Sequence, residues 1–305
     1  MILSKDDLAA SQELSTEICI IGGGPAAISI ALSYASTDYK VILITGGSWT
    51  QTQVNRRLYK GVINPVGSHE PIETTRRRQF GGGSAVWARR CVPLYPLDFE
   101  YRAWVPASGW PVAYNHLLPY FKKACTICQI EDFDFDSRSV FPDKQPEIIP
   151  EFDSAELESS HLERYSCPIH FAKNHKTQLE SSLTVQVLLD AHVLSLEMQN
   201  RADTISGVEI AAGNKRAKVS AKYFVLAAGG IENARLLLAS ANKHFPADIG
   251  NQHDNVDRYY MTHIIGTYAK LNPTDRDKVM FDFEKDKDGI FCRRRWRITY
   301  TAQKN

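Results

Sequence analysis

No stretch of this sequence reaches the roughly 18 uninterrupted apolar residues that a membrane-spanning helix needs. The opening segment, Met1 to Glu17, is polar and acidic. It has no basic start, apolar run and small-residue cleavage site, so no secretory signal is read there and the cytoplasm is the expected location. Neither sign of charge dominates: Lys and Arg number 36 against 35 for Asp and Glu, a net charge of +1. Such a balance generates no long-range field for nucleic acid or an anionic membrane, and neither is expected as a partner. Cysteine is sparse, with six scattered through 305 residues, a chain too long to depend on disulfide staples. Cys125 and Cys128 form a C-x-x-C, yet no second cysteine pair or histidine cluster accompanies them. No metal site is therefore expected. They read as buried or half-buried helix cysteines, with a redox role as the alternative. No repeat of solenoid type is visible.

What is present is a 43% hydrophobic chain, long enough for one large domain or two joined ones. Ile18 to Ile21 is a short continuous apolar run, as in a parallel strand buried on both faces. Gly22-Gly23-Gly24 ends it, Pro25 suits a helical first turn, and Ala26 to Ala35 continues small and apolar. Val41 to Ile44 reads as the next parallel strand. Thr45 to Arg78 is polar and irregular, a long loop over a surface or a ligand. A helix is expected from near Asn115, and Asp132 to Glu158 reads as an acidic, mobile excursion. Thr184 to Leu188, His192 to Met198, Ile205 to Ile210 and Lys215 to Val219 read as strands, the later ones in antiparallel hairpins. Tyr223 to Ala228 reads as a separate apolar strand before Gly229-Gly230 and a helix from Ile231 to Ala241.

Gly22-x-Gly24-x-x-Ala27 sits between a strand and a helix, the context of a dinucleotide-binding turn. Gly22 permits the tight turn, Gly24 lets the backbone approach a pyrophosphate, and Ala27 lets the helix pack close to the sheet. The end of the second strand, where an acidic residue would hold the ribose hydroxyls, carries Thr45 and Gly46 instead. A neutral acceptor in place of a charged one costs about 1 kcal/mol, roughly five- to tenfold in affinity.

The fingerprint alone does not separate NAD from FAD; longer motifs downstream do. Gly81-Gly82-Gly83-Ser84-Ala85-Val86-Trp87, the run from Arg90 to Glu100, Trp104 to Pro111, and Ala227-Ala228-Gly229-Gly230-Ile231-Glu232-Asn233-Ala234-Arg235 are similar to those of the glucose-methanol-choline oxidoreductases, particularly their sugar-dehydrogenase-like branch. The resemblance runs from Ile18 to Arg295. It implies an α/β, doubly wound FAD-binding (Rossmann-like) domain followed by the beginning of an incomplete α+β substrate domain. The implied division is 1–95 and 168–258 for the two FAD-binding segments, 96–167 for an inserted excursion, and 259–305 for the start of a truncated substrate domain.

The resemblance also implies site roles. Gly81, Gly82, Ser84 and Trp87 would pack against the flavin and pyrophosphate. Val193 would offer backbone to the adenine, and Ala228, Gly229 and Asn233 would close the cofactor site. With Gly22, Gly24, Ala27, Thr45 and Gly46 these are the candidate cofactor-binding residues. Ala85-Val86 stands where many relatives have Asn-His, so no histidyl link forms at that position and the FAD is expected to be non-covalent. Ala88-Arg89 replaces a Gly pair, Asp257 a Gly, and Thr262 an Asp. In the family a histidine paired with a second His or Asn near the C-terminus takes the hydroxyl proton; no residue of this sequence occupies that motif, and no catalytic residue is assigned. The implied function is oxidation of a CH–OH group of a sugar, polyol or related alcohol, possible with a second polypeptide supplying the remaining part. The alternatives are a non-catalytic flavin-binding protein or an inactive remnant. A nicotinamide dehydrogenase leaves the Gly81 and Gly229 segments unexplained.

Overall fold

The computed structural model describes residues 1–167, 170–199, 204–241, 249–263 and 265–304. Its strands are β1 (Ile2–Leu3), β2 (Gln12–Ile21), β3 (Val41–Ile44), β4 (Arg90–Cys91), β5 (Leu157–Tyr165), β6 (Val185–Leu188), β7 (Ala191–Met198), β8 (Ile205–Ala212), β9 (Lys215–Leu226), β10 (Glu284–Lys285) and β11 (Phe291–Ile298). Three helices matter below: α1 (Pro25–Tyr34), α2 (Tyr114–Ile127) and α3 (Gly230–Leu238). The chain divides into two units. One comprises Met1–Val86 with His170–Ile264, the other Trp87–Ile169 with Ile265–Asn305. Among the described residues no helix is long and apolar enough to cross a membrane.

The first unit is built on a sheet ordered β1-β6-β3-β2-β9-β8-β7. From β1 to β9 the neighbours are parallel, and β9, β8 and β7 form an antiparallel meander. A parallel strand covered on both faces has no polar side to show, which is why Ile18 to Ile21 and Val41 to Ile44 are apolar at every position and buried throughout. The pleat sends Cys19, Ile21, Ile42 and Ile44 to one face, where they join Leu188, Leu196, Val208, Ile210 and Leu236 of α3 in one apolar cluster. Ile18, Ile20, Val41 and Leu43 on the opposite face are equally dry. Helix α1 buries its small residues Ala27 and Ala31 together with Ile28.

Two expectations change here, and a segment without any expected element gains one. The polar N-terminal stretch is structured: β1 pairs with β6 and β2 begins at Gln12. Gln12 to Thr16 pair with β9 alone and alternate exposed and half-buried, a pattern hidden among charged neighbours. The two strands expected over 215–219 and 223–228 are one, because β9 runs unbroken beside β2 while only its first half also pairs with β8. The polar residues that interrupt the run, Ser220 and Lys222, lie within that strand and not in a turn. The stretch 132–158 is packed, not loose: it carries a short helix, Ser137–Val140, and buries Phe141 and Ile148.

The second unit holds an antiparallel sheet ordered β10-β11-β5-β4. Its interior is rich in ion pairs. Arg164 pairs with Asp286, both nearly inaccessible, and Arg294 pairs with Glu284 while donating to the carbonyls of Gln145 and Pro146. Glu163 receives Arg90 and Arg293, the latter through Nε to Oε1 at 2.6 Å. The run Arg293-Arg294-Arg295 thus supplies carboxylate partners in two of its three members.

Candidate functional site

The glycine-rich turn expected at 22–24 lies at the C-terminal end of β2, and the second turn, Ala228-Gly229, at the C-terminal end of the neighbouring β9. Ligands of open α/β sheets sit outside the carboxyl ends of such strands. Here the two turns border one cavity of about 490 Å³, a volume in the range of small-ligand and cofactor sites. Helix α1 begins at Gly24 and α3 at Gly229, and neither has a side-chain cap at its N-terminus. The first-turn N–H groups of both helices are therefore left for a ligand, and the positive end of each helix dipole favours an anionic one.

The turn geometry follows from residue size. Gly22 has φ of 132°, and a Cβ there would come within 2.3 Å of the Ala227 carbonyl oxygen, so the strand ends can only meet this closely with glycine. A Cβ at Gly24 would instead meet nothing within 4 Å. That open space beside the α1 N-terminus is where a pyrophosphate would approach the backbone, so the site fits a dinucleotide in shape as well as dipole. Asn233 braces the second turn: its Oδ1 accepts from the Ala228 N–H at 2.9 Å and its Nδ2 donates to the Leu226 carbonyl at 3.2 Å.

Of the residues singled out from sequence, Gly22, Gly24, Thr45, Gly46, Gly82, Val193, Ala228, Gly229 and Asn233 line this cavity. Ala27 is buried behind it within α1. Gly81 donates its N–H to the Gly23 carbonyl at 2.7 Å, tying the second glycine segment to the first. The Ser84 hydroxyl donates to the Gly81 carbonyl at 2.6 Å and accepts from the Phe171 N–H at 3.1 Å, which holds the loop in place. Trp87 belongs to the other unit. The Thr45 side chain is buried and accepts from the Gly47 N–H at 3.3 Å, a turn-stabilising bond. At Val193 the pairing of β7 with β8 slips by a bulge before Ser195, which re-aims the strand beside the cavity.

The electrostatics of the cavity were less legible. Arg76, Arg77, Arg78 and Arg235 line it, against the single carboxylate of Glu232. Glu232 is buried, meets Arg78 at 2.7 Å and Arg235 at 3.1 Å, and the Arg78 guanidinium also stacks on Tyr59 with 4.5 Å to the ring centre. This group fastens the irregular 45–80 segment to α3. Glu232 and Tyr59 carried no signal of their own in the sequence, because an ion pair between residues so far apart is a property of the fold. The His192 imidazole lies against the Gly46 backbone, and its pKa is lowered by burial and then by the charge of Arg78. His170 is half-buried against Gly81, with its Nε2 3.2 Å from the Gln79 amide. Among the described residues no group of three or more His, Cys, Asp or Glu side chains could hold a metal ion.

No family model matches the chain. It is 22% identical over 324 aligned positions to 2-methyl-1,2-propanediol dehydrogenase of Mycolicibacterium austroafricanum, covering 86% of this chain and 57% of that protein. Among solved structures, pyridoxine 4-oxidase from Mesorbium loti superposes with a TM-score of 0.51 at 20% identity, over 74% of this chain and 52% of that one. Formate oxidase does so with a TM-score of 0.51 at 17% identity, over 77% of this chain and 48% of that one. The fold is that of the FAD-binding portion of the glucose-methanol-choline oxidoreductases. The chain spans about half the length of these relatives.

Proposed function

We propose that the cavity binds FAD non-covalently and that the chain is the flavin-binding portion of an oxidoreductase acting on a CH–OH group of a sugar, polyol or related alcohol. The observation that carries this reading is the pair of uncapped helix N-termini, at Gly24 and Gly229, facing one cavity across adjacent parallel strands. Two phosphates are matched by two helix ends and by an excess of arginine. In this reading the backbone of Gly22, Gly24, Gly82, Ala228 and Gly229 surrounds the pyrophosphate, while Thr45, Gly46 and Val193 border the adenosine end. Ala27, Gly81, Ser84 and Asn233 hold those turns in shape. A bound flavin supplies the two-electron acceptor for this class of oxidation. The chain's own residues bind and orient it.

The cavity lining favours a division of labour. Its carboxylate, Glu232, is engaged by two arginines, and its histidine, His192, lies beside Gly46 at the end proposed for adenosine. Neither is placed to take a proton from an alcohol. Turnover is therefore proposed only together with the further residues that the longer relatives possess, on a longer product or a second polypeptide, and flavin binding without turnover is the second reading for the chain by itself. The six unpaired cysteines support a reducing compartment, the cytoplasm, as its location.

An absorption spectrum of the purified chain before and after acid precipitation tests the proposal. Flavin bands that pass into the supernatant support non-covalent FAD. A colourless protein that stays colourless after incubation with FAD overturns it. Bleaching of the yellow protein by alcohols then separates the two readings of activity.

A further inference from the structure

The end of β3, where an acidic residue would ordinarily hold the ribose hydroxyls of a dinucleotide, carries no carboxylate. Thr45 does not stand in for one. Its hydroxyl accepts from the Gly47 N–H, and a Cβ at Gly23 would come within 2.3 Å of that same oxygen, so the side chain is packed into the turn. The cavity has its carboxylate on the other side of the glycine turn. The strand order β3-β2-β9 places Gly22 to Gly24 between Thr45 and the first turn of α3, where Glu232 lines the cavity with 7% of its surface exposed. Arg78 joins the two sides: it precedes Gln79, whose backbone lies against Gly47, and its guanidinium meets Glu232 at 2.7 Å. The charges of Arg78 and Glu232 also act on the His192 imidazole, which lies against Gly46 at the end proposed for adenosine.

We propose that Glu232 is the ribose-binding carboxylate of this site, acting from the first turn of α3 in place of the end of β3, and that it makes the site selective for a ribose without a 2′-phosphate. The inference rests on the proposed binding of a dinucleotide in this cavity. A carboxylate has about four lone-pair positions on its two oxygens. Oε2 receives Arg78 and, at 3.1 Å, the Nε of Arg235, whereas among the described residues Oε1 receives only that same Arg235 N–H, at 3.2 Å. Oε1 therefore keeps acceptor capacity for a further donor. The two guanidiniums already match the charge of the carboxylate. A ribose hydroxyl adds a charge-assisted hydrogen bond and leaves that balance intact. A 2′-phosphate would instead set about −1.5 to −2 charge against a buried anion. Arginine near the ribose is what accommodates a 2′-phosphate in other dinucleotide folds, so Glu232 also keeps Arg78 and Arg235 from serving as its receptor.

The test is calorimetric titration of the ligand-free full chain with ADP-ribose and with its analogues altered on the adenosine ribose, one 2′-deoxy and one 2′-phosphorylated, which share one pyrophosphate. The wild-type chain should bind ADP-ribose roughly tenfold or more tighter than either analogue. In Glu232→Gln the preference over the 2′-deoxy analogue should fall below about threefold, and the 2′-phosphorylated analogue should become the tightest of the three, because Arg78 and Arg235 lose their shared carboxylate. A merely structural role would weaken all three ligands alike. Equal affinity of the wild-type chain for ADP-ribose and the 2′-deoxy analogue, an unchanged ranking in Glu232→Gln, or loss of the preference in Thr45→Ala would each overturn the inference. FAD binding without the expected ranking overturns it alone; a chain that binds neither FAD nor ADP-ribose overturns the cofactor reading with it. The wild-type ranking needs no variant, and if Glu232→Gln fails to fold, the double variant with Arg78→Gln should show the same loss of preference over the 2′-deoxy analogue.

Discussion

Gly22 and Gly24 stand two residues apart in the same turn, yet alanine at each should fail in different ways. At Gly24 the backbone has φ of −83° and ψ of −178°, which any residue adopts, and the added methyl would project into space with no protein atom within 4 Å. Alanine is a poorer N-cap than glycine by up to about 1 kcal/mol, but it removes unfolded-state freedom worth about 0.4–1 kcal/mol. Stability of the ligand-free protein should therefore stay within about 1 kcal/mol of wild type. The methyl occupies the approach to the α1 N-terminus, so FAD affinity should fall at least tenfold, or about 1.4 kcal/mol. At Gly22 the same methyl meets a backbone carbonyl at 2.3 Å with φ of 132°. The left-handed penalty of about 1–2 kcal/mol and the overpacking cost of about 1–3 kcal/mol together give about 2–5 kcal/mol of lost stability. Urea unfolding of the ligand-free proteins by circular dichroism and titration of FAD by flavin fluorescence read the two quantities separately. If Gly24→Ala binds FAD like wild type, or unfolds as easily as Gly22→Ala, the assignment of the turn is wrong.

Glu232→Gln should cost about 3 kcal/mol in urea unfolding, since it leaves Arg78 largely buried without its carboxylate; the double variant with Arg78→Gln should recover part of that loss. Asp286→Ala should be at least as severe, about 3–5 kcal/mol, because Arg164 would be left almost inaccessible and unpaired, and limited proteolysis should then cut within Trp87–Ile169. The pKa values of His192, His170 and His161 are all lowered, in each case chiefly by burial. A histidine whose folded pKa is depressed leaves the unfolded chain binding more protons below about 6.5, so stability should fall as pH drops from about 7 through 6.5 toward the folded pKa values, then level off with respect to these groups. Thermal melts across that range should show the decline, and His192→Asn should flatten it; a midpoint that rises on acidification would refute the account.

The nucleotide-binding half was legible because its signals are local. The buried parallel strands Ile18–Ile21 and Val41–Ile44 need apolar residues at every position, and the turn between β2 and α1 needs glycine, so both write themselves into consecutive residues. Strand β9 was misread as two because its halves have different neighbours: Lys215–Ser220 is shared between β2 and β8, whereas Ala221–Leu226 pairs with β2. The second unit was the least legible. Its interior holds Arg164, Arg294 and Glu163, residue types that read as surface in any linear scan, and their burial depends on partners such as Asp286 and Glu284 more than a hundred positions away or on another strand.

Strand β9 is the shared member of two pairing systems, and this has a consequence for how the cradle behaves without its guest. Opening the meander exposes one edge of β9, and opening the parallel sheet exposes the other, so neither can fray far without disturbing the strand that both use. The two glycine turns hang from β2 and β9, which are paired along their whole common length. Their separation is therefore set by backbone hydrogen bonds before any nucleotide arrives, and capture of a dinucleotide need not pay for assembling its own seat.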